Sequence, residues 1–126
     1  MVDVEKQIGY WRQGALEDWE VAVGLVNDGK SRHGLFFAHL ALEKVLKALV
    51  CRRTRDIPPR IHNLVRLSEL AALKPDNYQA DTLADMNQFN LEGRYPETQI
   101  PPPSPAEART YIARSQEIFT WLIRQF

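Results

Sequence analysis

The residues able to do chemistry in this sequence are few: three histidines, an arginine-rich segment, and charged groups set on otherwise apolar stretches. Glu43 and Lys47 stand four apart on a helical pattern, in the order that lets a carboxylate pair with an ammonium one turn further on. They read as a structural ion pair or as an acid and a base. His39 lies one turn before Glu43, where a polar strip meets the main apolar face, and reads first as a hydrogen-bonded, half-buried histidine. His62 immediately precedes a helix start; it can cap that helix, orient the Pro58-Pro59 loop, or act as a base near neutral pH. Arg52, Arg53, Arg55 and Arg60 complement a helix C-terminus in water, or hold an anion. Arg94 and Tyr95, between Gly93 and Pro96, set a guanidinium beside an aromatic ring in an extended turn. That pair suits packing on the preceding helix as well as it suits a phosphate and a base. His33, next to a turn, carries no pattern.

Familiar catalytic signatures are missing: no glycine-rich phosphate loop, no His-Glu-x-x-His, no serine-centred elbow, no metal-spaced cysteine set. No metal or cofactor is implied. The single cysteine, Cys51, permits no internal disulfide and fits a reducing compartment, so a cytoplasmic location is expected. Sixteen basic residues balance sixteen acidic ones, so the chain lacks the overall positive charge of most nucleic-acid-binding domains, and any anion site must be local. The start of the chain has no secretion signal and no apolar run reaches ~18 residues, so neither export nor membrane insertion is indicated.

The elements that must position these groups follow from apolar periodicity. Val4, Ile8, Trp11, Ala15, Trp19, Ala22 and Val26 recur in steps of three and four, predicting a long amphipathic helix that stops at the turn Asn27-Asp28-Gly29. Ser31 is placed to cap a central helix running to about Cys51. Its Leu35, Ala38, Leu42, Val45, Leu46 and Leu49 form one apolar face, and Phe37, Ala41 and Ala48 extend it, so this helix should be buried on more than one side. The short turn between the two helices predicts an antiparallel hairpin. A short helix opens at Asn63, with Leu64, Leu67, Leu70 and Ala71 inward. Asp76 and Gln79 form a capping box for another, with Tyr78, Leu83, Met86 and Phe89 inward. Ser104, Pro105 and Glu107 start a final helix, whose core face runs through Ala108, Tyr111, Ile112, Ser115, Ile118, Phe119, Leu122, Ile123 and Phe126. No strand pattern occurs. The expected fold is all-α, an up-and-down helical bundle of four long helices plus one short helix, as a single domain over residues 1–126.

The run Phe37-Ala38-His39-Leu40-Ala41-Leu42-Glu43-Lys44-Val45-Leu46-Lys47-Ala48-Leu49, then Ile61-His62-Asn63-Leu64 with Leu67, then Arg94-Tyr95-Pro96, resembles the HEPN domain family. The resemblance implies a helical bundle that usually dimerises. It also implies a partner, a minimal nucleotidyltransferase, in prokaryotic modules of the toxin-antitoxin type. Many members are metal-independent RNases, with an arginine, a polar residue after it and a histidine four to six positions beyond on a late helix. Here Arg32 and His39, and likewise Arg55 and His62, have six residues between them, but no histidine follows Arg94. The resemblance is closer to the branch with Glu-Lys and Arg-Tyr-Pro elements, for which nucleotide binding has been proposed.

Two readings result. In the first, a homodimer binds a nucleotide, RNA or a nucleotidyltransferase partner through a polar seam of Glu43, Lys47, His62, Arg94 and Tyr95. Lys47 and Arg94 would meet phosphate, Tyr95 would stack on a base, and Glu43 would hold Lys47. In the second, His62 is the base of a metal-independent RNase with Arg55 or Arg60 on the developing phosphorane, His39 being the lesser candidate. The dimer has its own motive in the broad apolar surface of the central helix and in Trp11, Trp19 and Trp121.

Overall fold

A computed structural model describes residues 2–92 and 101–126, the side chains of 91 and 92 apart. Among the described residues there are six helices and no strand: α1 (Val4–Asn27), α2 (Ser31–Thr54), α3 (Leu64–Leu70), α4 (Asn77–Met86), α5 (Gln88–Glu92) and α6 (Pro105–Ile123). The all-helical bundle expected from periodicity is present. Arg94 and Tyr95 lie outside the described residues.

α1 and α2 form the predicted antiparallel hairpin. Asp3 caps α1 by accepting from Lys6 N, and the chain turns through Gly29 at φ 81, a left-handed conformation that costs glycine nothing. Ser31 does not cap α2. It is the first helical residue and is itself buried, while the capping position falls to Lys30, whose side chain makes no capping hydrogen bond. α2 also runs past Cys51 to Thr54, so Arg52 and Arg53 lie in its last turn, where they meet the negative end of the helix dipole. Arg55 then closes the helix in a left-handed conformation before the two prolines forbid continuation.

α2 is the centre of the bundle, packed by α1, α3, α5 and α6. Every residue of its predicted apolar face is buried, as are Ala41 and Ala48; a fully buried leucine contributes about 1.5–3 kcal/mol. Cys51 is wholly buried, and that burial raises its thiol above the ordinary range. Trp19 stacks on Phe119, ring centroids 5.0 Å apart, and donates its indole N–H to Gln116 at 3.0 Å, which pins α6 to α1. The apolar surplus of α2 is thus largely covered within the chain.

The helix expected after Asp76 begins as predicted, with both halves of the Asp76–Gln79 capping box formed, but it breaks at Asn87 into α4 and α5. At the break the Asn87 side chain serves another element. Its Oδ1 accepts from Leu64 N at 2.8 Å, satisfying a backbone donor at the start of α3 that Asn63, the cap, leaves unpaired. Leu83, Met86 and Phe89 point inward as expected, whereas Tyr78 is half-exposed and lies under the Arg114 guanidinium. α6 opens on the predicted cap, with Ser104 and Glu107 bonded reciprocally.

One close approach sets the hairpin. A Cβ at Gly34 would stand 2.5 Å from Val26 Cγ2 and 3.1 Å from the Ala22 carbonyl, so α2 meets α1 here through bare backbone. Gly34→Ala should force the helices apart and cost about 1–3 kcal/mol, measured by urea denaturation. Gly9→Ala, where an added Cβ meets nothing, should be neutral or stabilising by up to about 1 kcal/mol. The α6 cap carries a pH signature. The Ser104 backbone N–H and then its hydroxyl hold the Glu107 carboxyl below the usual glutamate range. A depressed carboxyl contributes stability above its unfolded pKa and loses it as pH falls through the folded one. NMR titration should show Glu107 ionising at lower pH than a free glutamate, and Ser104→Ala, which keeps the backbone N–H and removes the hydroxyl, should move it only part of the way back up.

Candidate functional site

Two ionisable groups that the sequence places on α2, Lys47 and His39, and one from the loop that follows it, His62, meet at Glu43. α2 is apolar almost all round, so a carboxylate on its inner surface must find donors or be expelled. Glu43 is 5% exposed and finds two. Its Oε2 accepts from Lys47 Nζ at 3.0 Å, one turn on, and its Oε1 accepts from His62 Nδ1 at 3.0 Å, across from the loop before α3. Lys47 is itself only 6% exposed, and its ammonium lies over the Trp11 ring, 5.2 Å from the centroid. The cluster is therefore built by three elements: α2 supplies Glu43, Lys47 and His39, the loop before α3 supplies His62, and α1 supplies Trp11.

His39, fully buried, holds the backbone of that loop. Its Nε2 lies 3.1 Å from the His62 carbonyl oxygen; since a carbonyl only accepts, Nε2 carries the proton and donates. His39 Nδ1 lies 3.8 Å from Glu43 Oε1, too far for a hydrogen bond. His39 thus fixes the His62 backbone while Glu43 fixes its ring. With Nδ1–H donated to the carboxylate, the neutral His62 ring presents its Nε2 lone pair on a side chain that is 44% exposed. Such an imidazole can accept a hydrogen bond or a proton. Trp11 Nε1 is buried in this region and finds no hydrogen-bond acceptor among the described residues.

The other candidates are placed differently. Arg55 donates to Glu5 at 2.9 Å across the far end of the hairpin, and both side chains are exposed. Arg60 is exposed in the same loop as His62. The structure therefore joins Glu43, Lys47, His62 and His39 and shows no bond from Arg55 to them. Trp11 belongs to the cluster, a place that its reading as part of the apolar face of α1 and as a motive for dimerisation does not give it. Hairpin register carried that information: the facing pairs Val26 with Gly34, Asp18 with Lys44, Trp11 with Lys47 and Glu5 with Arg55 have residue numbers adding to between 58 and 62.

A bundle in which two long antiparallel helices hold buried charges and later, shorter helices close over them defines a helical domain class. The HEPN domain model matches residues 8–125, and the chain belongs to that family. Two solved structures share the fold. TT1696 from Thermus thermophilus superposes with a TM-score of 0.75 at 19% identity, over 95% of this chain and 98% of that one. ST0689, an archaeal HEPN homologue, superposes with a TM-score of 0.72 at 22% identity, over 99% and 98%. No curated protein matches the chain in sequence. No described helix is long and apolar enough to cross a membrane.

Removing one member of a buried ion pair leaves the other charge stranded. Glu43→Ala should cost about 3–5 kcal/mol in chemical denaturation, since it strands Lys47 and frees His62. Glu43→Gln combined with Lys47→Met removes both charges and should recover most of that loss.

Proposed function

We propose that this chain is a HEPN module that binds a nucleotide or RNA through the polar seam around Glu43, as a homodimer and as the partner of a minimal nucleotidyltransferase in a toxin-antitoxin type of system. The observation that carries the reading is Glu43 itself. One buried carboxylate orients Lys47 and His62 together and leaves the imidazole half-exposed, an arrangement that stability alone does not require. In this reading His62 meets a ligand's hydroxyl or phosphate, Lys47 adds positive charge behind it, and the Trp11 indole N–H is a donor in reserve. Arg94 and Tyr95 complete the seam on sequence grounds, as phosphate contact and stacking ring.

A second reading is favoured by one feature. A carboxylate on Nδ1 with Nε2 facing outward is how a histidine is set up as a general base. In a metal-independent RNase it would take the proton from an RNA 2′-hydroxyl. Of the two arginines assigned beside it, Arg55 is engaged by Glu5 and Arg60 stands closer in sequence.

Incubation of the wild type and His62→Ala with labelled tRNA and mRNA in EDTA separates the two. The binding module should retain intact RNA or nucleotide in a filter or calorimetric assay, with affinity falling about tenfold in His62→Ala and in Arg94→Ala. Fragments produced by the wild type but not by folded His62→Ala would replace this reading with the RNase. Sedimentation at micromolar concentration should give a dimer; a monomer would remove that part.

A further inference from the structure

We propose that the amino end of α2 is a binding site for a phosphate group, separate from the Glu43 cluster and independent of its reading. Three observations meet there. The first is an open helix terminus. Lys30 occupies the capping position without a side-chain hydrogen bond, and the first helical bond runs from Gly34 N to the Lys30 carbonyl at 2.9 Å. The backbone N–H groups of Ser31, Arg32 and His33 therefore have no helical acceptors, at the positive end of a 24-residue helix.

The second observation is Ser31. It is 7% exposed, its hydroxyl makes no hydrogen bond among the described residues, and it lines a cavity of about 310 Å³ beside the turn. With no partner inside the chain, the hydroxyl of this largely buried serine is left to bond whatever occupies the cavity. The third is charge. Lys30, Arg32 and His33 line the same cavity, and none of them forms an ion pair among the described residues. The opposite wall consists of Pro102, Pro103 and Pro105, which carry neither charge nor N–H, and no carboxylate of the described residues lines the space. Asp28 lies in the turn itself, next to Gly29, but is not part of the lining.

A tetrahedral dianion answers all three. Its oxygens can accept from the terminal N–H groups and the Ser31 hydroxyl, with Arg32 and Lys30 neutralising its charge. The cavity is roomier than one phosphate ion, so an ester group fits behind it. Ser31 and Glu43 are twelve residues apart on one helix, about 18 Å along its axis, so a single phosphate cannot occupy both places.

The test is an amide NMR titration of the full chain, at constant ionic strength, with inorganic phosphate, adenosine 5′-monophosphate and adenosine. Phosphate and the monophosphate should shift the Ser31, Arg32 and His33 amides saturably in the millimolar range, and adenosine should not. Ser31→Ala and Arg32→Ala should each weaken the effect about tenfold, the loss of one charge-assisted hydrogen bond. Tighter binding of the monophosphate than of phosphate would assign the site to nucleotide esters; equal binding would assign it to the phosphate group alone. Absence of saturable shifts at these amides would overturn the proposal. So would shifts unchanged in Arg32→Ala, a half-buried position outside the apolar core.

Discussion

A carboxylate inside an apolar helix is the constraint on which much of this structure depends. Burying Glu43 without partners would cost several kcal/mol, more than half the stability of a marginal small domain. The cost is met from two directions, by Lys47 on the same helix and by His62 from another segment. The second of these has consequences for the fold. To bring His62 back onto α2, the chain must leave α2 sharply, cross the double proline and return. The His39 bond to the His62 carbonyl then holds the returning backbone. One charged residue thereby ties the loop, the entrance to α3 and the middle of α2 into one unit.

The same helix owes its position to an absence of side chain. At Gly34 the backbone of α2 lies against Val26 and the Ala22 carbonyl, and the register of the whole hairpin follows from that approach and the left-handed turn at Gly29. Once the register is set, Lys44 meets Asp18 at 2.7 Å, Lys47 meets the Trp11 ring, and Arg55 meets Glu5. Packing and chemistry share one cause here. The aromatic wall of the polar cluster is where it is because the two helices can approach closely several turns away.

Polar side chains do the remaining work of joining short elements. Asn87, at the junction of α4 and α5, lends its side-chain carbonyl to the start of α3, while its side-chain amide reaches Asn63. Arg114 spans Asp85 and Thr82, holding α4 against α6, and is flanked by Tyr78 and Tyr111. These bonds are individually modest, about 1 kcal/mol each, yet they decide the angles at which α3, α4 and α5 close over the central helix.

Local chemistry determined much of this protein from the sequence alone. Apolar steps of three and four marked α1, the core face of α2 and the inward face of α6, because one helix face must be buried whatever covers it. Three caps, at Asn63, Asp76 and Ser104, were legible because a cap is satisfied within three residues. The pairing of Glu43 with Lys47 was legible for the same reason. What needed tertiary structure was every contact made across a long separation: His62 on Glu43, His39 on the His62 carbonyl, Trp11 over Lys47, and Asn87 at α3. Ser31 shows the limit most clearly. Its type predicted a cap, but the close approach of α1 and α2 buried it as the first helical residue instead. Side-chain type sets what a residue can bond, and only packing decides which partner comes within reach.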